Sequence, residues 1–175
     1  MKKRSTRDIL DQNLQRTSPL QNRVSCWLHN IRSLHNVGAA FRCCDAFGVQ
    51  HLYLSGYTPL PPRPEITKTA IGAEEHVAWT AVEHVEAQVQ TFKKKGVMLA
   101  GLEQTHSSIP LHEYSLPEKA QVCIILGNEV RGIEEPILSH LDVAVEIPQF
   151  GMKHSLNVSV ACGVALYALF QKLAG

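Results

Sequence analysis

The sequence has no strong charge of either sign, few aromatic residues and no long hydrophobic run. Among its 175 residues, 17 lysines and arginines face 16 aspartates and glutamates, so the formal net charge of +1 gives no global reason to expect a nucleic-acid partner. The hydrophobic share of 45% excludes a disordered chain. No apolar stretch has the roughly 20 residues that a membrane-spanning helix needs, and no apolar leader opens the chain. We therefore expect a cytoplasmic protein without a membrane partner.

The chain also lacks a cysteine framework. Its five cysteines are an odd number and form no Cys-x-x-Cys pair, which disfavours structural disulfides and a zinc site. Cys26, Cys123 and Cys162 lie in apolar runs and are predicted to be small core residues. The pattern is typical of a reducing compartment, and we expect no metal ion.

Several short apolar runs have the length of β-strands, at residues 24–28, 51–54, 97–102, 122–126 and 143–147. Helical patterns separate them, at residues 5–15, 37–47, 65–70, 81–95 and 155–173. This alternation predicts one α/β domain with a mostly parallel sheet and helices on both faces. We interpret residues 1–22 as a short basic N-terminal extension and residues 23–175 as the domain.

Ligands of open parallel sheets bind outside the carboxyl ends of the strands. Three loops with unusual polar or glycine content follow predicted strand ends, after Leu28, Leu126 and Ile147. We therefore expect the chemistry of the protein in these three loops.

The first loop leads into a predicted helix that contains Arg42. Asn36 is predicted to cap this helix, and Gly48 is placed to end it. Gly38 and Ala39 are small neighbours that leave the Arg42 guanidinium room to meet another surface. The alternative is an ordinary surface pair between Arg42 and Asp45.

The second and third loops carry glycines and helix caps. Gly127 and Gly132 follow a strand, where backbone amides can approach a ligand, although a simple glycine turn is an equal alternative. Ser155 is predicted to cap the last helix. Small residues along that helix, such as Gly163, would let another helix approach closely, or would suit a core helix in a monomer.

In this order, the three segments resemble the motifs of the SpoU (TrmH-like) branch of the SPOUT RNA methyltransferases. The matching residues are Asn36, Arg42 and Phe47-Gly48 in the first motif, Gly127-Asn128-Glu129 and Gly132 in the second, and Ile147-Pro148, Gly151 and residues 155–159 in the third. The resemblance extends over nearly the whole chain from Val24 onward.

The resemblance implies methylation of a ribose 2′-hydroxyl in tRNA or rRNA, with S-adenosylmethionine as methyl donor and a homodimer as the active form. It also implies that the C-terminal part forms a deep trefoil knot, which is rare among folds. The cofactor would lie in the knot, held mainly by the backbone of Leu99, Ala100, Gly101, Leu126, Gly127, Asn128, Gly132, Ile147 and Leu156.

The resemblance assigns removal of the 2′-hydroxyl proton to Arg42. Because a guanidinium stays protonated in proteins, we interpret Arg42 as a clamp on an RNA phosphate that stabilises the developing alkoxide while the phosphate relays the proton. The other matching catalytic positions are Asn36, Glu129, Ser155 and Asn157. Candidate RNA contacts are Arg63, Lys68 and Arg131, whose alternative role is that of ordinary exposed cations.

Two alternatives stay open from the sequence. One is an RNA-binding or assembly factor that keeps the fold without turnover, and the other is a SPOUT enzyme that methylates a base. Only the short basic segment precedes the predicted domain, which leans weakly towards tRNA as the substrate.

Overall fold

The computed structural model describes residues 2–174, which form an α/β fold with a seven-stranded sheet in the order β3-β2-β1-β6-β4-β7-β5. The strands are β1 (Val24–His29), β2 (His51–Ser55), β3 (Ala78–Val82), β4 (Val97–Leu102), β5 (Ile109–Pro110), β6 (Gln121–Leu126) and β7 (Val143–Glu146). The helices are α1 (Thr6–Leu14), α2 (Leu34–Phe47), α3 (Pro64–Ala70), α4 (Ala73–His76), α5 (Val85–Lys94), α6 (Glu135–Leu138) and α7 (Val158–Ala174).

Every strand pair in the sheet is parallel, which confirms and sharpens the predicted mostly parallel sheet. Successive side chains of a strand point to opposite faces. In β1, Cys26 and Leu28 join the core beneath α2, α3 and α7, whereas Trp27 packs with Phe92 of α5 on the other face. Helices therefore cover both faces, as expected. The carboxyl ends of β1, β4, β6 and β7 meet at one edge.

Two helix starts were predicted wrongly. α2 begins at Leu34 because the Ser33 side chain caps it and accepts from the Asn36 N–H at 3.3 Å, so Asn36 lies inside the first turn. α7 begins at Val158 rather than at Ser155. Asn157 caps it instead, with its Oδ1 accepting from the Ser159 N–H at 2.9 Å.

The predicted helix over residues 81–95 also starts too early. Residues Ala78–Val82 form β3, which pairs with β2, and α5 begins at Val85. The expectation that Gly38 leaves room for Arg42 was wrong as well. A Cβ on Gly38 would lie 2.3 Å from the Ile66 carbonyl oxygen, so this glycine lets α3 pack against α2.

Other local predictions are confirmed. Gly48 ends α2 in the left-handed conformation with φ of 67°, as predicted, and the predicted N-terminal helix forms as α1, which Ser5 caps in a capping box with Asp8. Cys26, Cys123 and Cys162 are buried in the core, and all five cysteines are free thiols.

Within residues 2–174, no helix is both long and apolar enough to cross a membrane. The same residues contain no cluster of three or more His, Cys, Asp or Glu side chains suited to a metal ion. Met1 and Gly175, the outer bounds of the two predicted segments, lie outside the described residues. The trefoil knot stays a prediction.

Candidate active site

A cavity of about 290 Å³ opens at the carboxyl ends of β4, β6 and β7. Its wall is formed by the loops after these strands and the first turns of α7, with the residues Leu102, Glu103, Gln104, Leu126, Gly127, Asn128, Glu129, Val130, Arg131, Gly132, Glu146, Ile147, Gln149, His154, Ser155, Leu156, Val158 and Ala161. The position agrees with the rule that ligands of parallel sheets bind beyond the carboxyl ends of the strands, here called the sheet-edge rule.

The loop after β6 is folded tightly on itself by its two glycines. Asn128 and Gly132 exchange two backbone hydrogen bonds of 2.9 Å. A Cβ on Gly127 would lie 2.2 Å from the Gly132 carbonyl carbon, and Gly132 has φ of 69°, which a side chain would strain. Only glycines permit this turn, whose backbone lines the cavity.

Glu103 braces the same loop from the end of β4. Its Oε2 accepts from the Ile133 N–H at 2.8 Å, and a Cβ on Gly132 would lie 2.2 Å from that oxygen. Gln104 donates to the His154 carbonyl oxygen at 2.6 Å and so ties the third loop to β4. Neither residue was predicted to belong to the site, although both follow a predicted strand end, where ligands of parallel sheets bind.

The carboxylate of Glu129 receives three hydrogen bonds from the start of α2. It accepts from the N–H groups of Arg32 and Ser33 at 3.0 and 3.1 Å and from the Asn36 Nδ2 at 3.0 Å. Partial burial raises the pKa of Glu129, but these hydrogen bonds outweigh it and hold the pKa below its ordinary value. Glu129 is therefore an anion that binds the positive end of α2.

Asn36 extends this contact to the third motif. Its Oδ1 accepts from the Asn157 Nδ2 at 3.1 Å, while its Nδ2 donates to Glu129. Asn157 in turn caps α7. A chain of hydrogen bonds thus joins Glu129, Asn36 and Asn157, which are three of the five predicted catalytic residues and come from three distant segments.

The other two predicted catalytic residues are exposed. Ser155 lines the cavity, and Arg42 lies on the surface of α2. Within residues 2–174, Arg42 has no side-chain hydrogen bond or ion pair, and the alternative pair with Asp45 does not form. Its charge is therefore available to a ligand.

Cys43 lies next to Arg42 in the contact between α2 and α7. Its Sγ is 3.9 Å from the Ser159 carbonyl oxygen and 3.4 Å from where a Cβ on Gly163 would lie. The neighbouring Cys162 thiol lowers the pKa of Cys43 to about 7 and Arg42 adds to this effect, against partial burial. Gly163 thus has a packing role beside the Cys43 thiol.

The predicted cofactor residues divide into two groups. Leu126, Gly127, Asn128, Gly132, Ile147 and Leu156 line the cavity. Leu99, Ala100 and Gly101 do not, since they are buried inside β4 before its carboxyl end. Their place is taken by the next three residues, 102–104, where the strand ends and its loop begins.

The three predicted RNA contacts are exposed cations. Arg63 directly precedes α3, and Lys68 lies in its last turn. Arg131 lines the cavity and lies 3.6 Å from Glu134 in a largely exposed ion pair.

The cavity combines an apolar wall, glycine-rich backbone and the carboxylates of Glu103, Glu129 and Glu146. An apolar wall suits a flat ring system, backbone groups suit hydrogen bonds to its edge, and carboxylates favour a cation. The arrangement is thus suited to an elongated ligand with an aromatic and a cationic part.

Comparison with known proteins agrees with this site. Residues 23–167 match the SpoU rRNA Methylase family. A tRNA (guanosine(18)-2′-O)-methyltransferase of Aquifex aeolicus is 30% identical, over 91% of this chain and 76% of the relative. A 23S rRNA (guanosine-2′-O-)-methyltransferase of Coxiella burnetii is 31% identical, over 80% of this chain but only 55% of the relative.

Solved structures share the fold. The Aquifex aeolicus TrmH/SpoU tRNA modifying enzyme superposes with a TM-score of 0.76 at 26% identity, covering 94% of this chain and 84% of that one. The SpoU methyltransferase AviRb of Streptomyces viridochromogenes, crystallised with AdoMet, gives 0.78 at 22% identity, over 89% and 62% of the two chains. With the family match over most of its length, the chain belongs to the SpoU methylase family.

Proposed function

We propose that the protein transfers a methyl group from S-adenosylmethionine to a ribose 2′-hydroxyl of RNA. The observation that carries the proposal is the hydrogen-bond chain of Glu129, Asn36 and Asn157, which unites the three motifs beside the glycine-built cavity. Arg42 lies on the same helix as Asn36, with its guanidinium free of protein partners among residues 2–174.

The residues of the cavity fit S-adenosylmethionine. The turn around Gly127 is so tight that a Cβ there would collide with Gly132, so the cavity-lining loop after β6 forms only with glycine at this position. Leu126, Ile147 and Leu156 would pack against the adenine, and the carboxylates favour the cationic end. When bound, this cofactor supplies an electrophilic methyl group on a sulfonium.

The protein must align the reactants and handle one proton. Aligned reactants contribute up to about 7–11 kcal/mol, and help with the proton a factor of about 10²–10⁴. Arg42 would hold an RNA phosphate beside the 2′-hydroxyl and stabilise the oxygen as it loses its proton. Glu129 and Asn36 position α2 and hence Arg42, and Asn157 caps α7 at the end of the third loop. Ser155, on the cavity wall, would orient the ribose. The phosphate accepts the proton of the 2′-hydroxyl and passes it on to water.

The substrate class rests on the relatives and on the exposed cations. The relatives named above are a tRNA methyltransferase in one case and a 23S rRNA methyltransferase in the other, and both RNA classes stay candidates. Arg63, Lys68 and Arg131 would bind phosphates. We propose that the enzyme is cytoplasmic, because free thiols such as its five cysteines persist in a reducing compartment. Residues 23–175 would be the catalytic domain, and residues 1–22 a basic extension.

A homodimer is part of the proposal. α7 exposes Val160, Val164 and Tyr167 at i, i+4 and i+7, each 40–51% accessible, which makes an apolar stripe along one helix face. Phe150 and Met152 in the preceding loop are fully accessible. Apolar side chains grouped in this way are typical of a protein interface.

The test uses purified protein, labelled S-adenosylmethionine and total RNA from an organism that lacks the matching enzyme. We expect label in a 2′-O-methylnucleoside after digestion, in either the tRNA or the rRNA size fraction. Arg42→Ala should lose at least about a hundredfold in turnover, because it removes the phosphate clamp. Lys94→Ala, an exposed cation of α5 on the other face of the sheet, is the matched control and should retain wild-type turnover.

Other outcomes would replace the proposal. Label in a base-methylated nucleoside would indicate a base methyltransferase. Calorimetric binding of S-adenosylmethionine without any transfer would indicate an RNA-binding factor of the same fold. Full turnover in Arg42→Ala would remove that residue from the mechanism.

A further inference from the structure

A second cavity borders the active site and shares part of its lining with it. It is lined by Arg32, Tyr57, Asn128, Val130 and Arg131. Asn128, Val130 and Arg131 also line the active-site cavity, so the two cavities are continuous along the loop after β6. Its two cations and its exposed aromatic ring come from three separate loops.

Tyr57 is exposed and yet fixed in place. Its side chain is 56% accessible, while its hydroxyl accepts from the Asn128 Nδ2 at 2.9 Å. Its backbone N–H donates to the Asn30 Oδ1 at 3.2 Å. Asn128 and Asn30 are themselves buried, and the Asn128 Nδ2 also donates to the Asn30 carbonyl oxygen. The ring is therefore held at both ends, with one side open to solvent.

The two arginines beside this ring have anchored backbones and exposed side chains. The Arg32 N–H donates to the Glu129 carboxylate, and the Arg131 N–H donates to the Asn128 Oδ1 at 2.9 Å. The Arg131 side chain is 77% accessible, and its pair with Glu134 is of the exposed kind that contributes little. Both guanidiniums can therefore bind an incoming anion.

We propose that this cavity is a nucleotide subsite, in which an unpaired base of the RNA stacks on Tyr57 while Arg32 and Arg131 bind its flanking phosphates. Aromatic stacking and cationic grooves are the two elements by which proteins hold single-stranded RNA. The proposal rests on the proposed function, whose substrate class it refines: the target nucleotide or its neighbour must be unpaired. Asn128 couples the subsite to the cofactor loop, because its Oδ1 also accepts from the Val130 N–H.

The test measures binding of a fluorescein-labelled single-stranded RNA octanucleotide to the full chain by anisotropy, without any methyl transfer. Tyr57→Leu should weaken binding about tenfold, the loss expected for one stacked base. Tyr57→Phe retains the ring and should stay within about threefold of wild type. Arg32→Ala should reduce the slope of log Kd against log salt concentration by the amount expected for about one phosphate contact, whereas the control Lys94→Ala should leave this slope unchanged.

A spectroscopic signature separates stacking from charge attraction. An octanucleotide with 2-aminopurine should lose fluorescence on binding wild type and Tyr57→Phe, but not on binding Tyr57→Leu at saturation. Equal quenching by wild type and Tyr57→Leu, with both variants folded by circular dichroism, would overturn the subsite.

The failures of the two proposals are distinguishable. Unchanged octanucleotide binding by Tyr57→Leu, together with normal methyl transfer to total RNA, would overturn the subsite and leave the enzyme. A Tyr57-dependent quench in a protein that never transfers a methyl group would support the subsite and overturn the proposed activity.

Discussion

Replacing Glu129 by glutamine should destabilise the fold measurably, because one oxygen that accepts a hydrogen bond becomes a donor. Oε2 accepts from the Arg32 N–H at 3.0 Å, and without this bond the N–H keeps only its longer contact of 3.3 Å with Oε1. Losing a hydrogen bond to a charged acceptor costs about 1.5–3 kcal/mol. The bonds from Ser33 and Asn36 remain but become neutral, which weakens each by about half. Water reaches this half-buried site and satisfies part of the loss. We therefore expect Glu129→Gln to lower the free energy of unfolding by about 2 kcal/mol at pH 7.

The pH dependence tests the cause of this effect. The pKa of Glu129 is lower in the folded protein than its ordinary value of 4.5. Its contribution is therefore fully present above that ordinary value and is lost as the pH falls through the folded-state pKa. In urea titrations at one protein concentration, wild type and Glu129→Gln should differ in free energy of unfolding by a constant amount near neutral pH, and this difference should shrink in acid.

Glu118→Gln is the matched control, since Glu118 is exposed and has no hydrogen bond or ion pair within residues 2–174. It should change stability by less than about 0.5 kcal/mol. If Glu129→Gln also changed the free energy of unfolding by less than about 0.5 kcal/mol, or if its effect grew in acid, an ionised Glu129 would not be what holds the start of α2.

Two further predictions concern α2 and α7. Cys43 should be alkylated first among the five thiols, because the other four are buried. Its alkylation rate, followed by peptide mass spectrometry, should be half-maximal near pH 7, since the pKa of Cys43 is lowered to about 7. A midpoint above about pH 8.5 would contradict the lowered pKa. Val164→Lys should shift the protein from dimer to monomer in sedimentation and lower turnover, because it places a charge on the exposed apolar stripe of α7. A variant that sediments like the wild type would exclude this helix face as the dimer interface.

Much of the fold could be predicted because its central strands are buried on both faces. The apolar runs at residues 97–102 and 122–126 match β4 (Val97–Leu102) and β6 (Gln121–Leu126) almost residue for residue. β3 was missed because it lies at the edge of the sheet, where four of its five residues are at least partly exposed. Its apolar residues are interrupted by Thr80, and its last residues, Ala81 and Val82, fit the helical pattern that continues into α5.

The errors at helix starts have a common physical reason. Ser33 and Asn36 are both good caps, as are Ser155 and Asn157, so composition does not decide between them. Tertiary contacts do. The Asn36 side chain is bound by Glu129 and Asn157, which leaves Ser33 as the cap, and the Gln104 side chain binds the His154 carbonyl oxygen outside the helix.

The site was predictable as a set of loops but not as a geometry. The sheet-edge rule and the motifs pointed to Glu129 and Asn157, yet no local pattern indicates that Asn36 would bind both. Glu103 was missed because a glutamate after a strand resembles any surface residue. Its role appears only once β4 and the loop after β6 are neighbours.

The contacts of Glu129 explain why the motifs must fold together. Glu129 belongs to the loop that builds the cofactor cavity, while its carboxylate binds the N-terminus of the helix that carries Arg42. Any shift of residues 127–132 would therefore lengthen hydrogen bonds at the start of α2. Since α2 is a single helix of 14 residues, such a shift moves Arg42 as well. One carboxylate thus joins the loop after β6 to the helix that carries Arg42, and we therefore propose that Glu129 is a positioning residue rather than a proton acceptor.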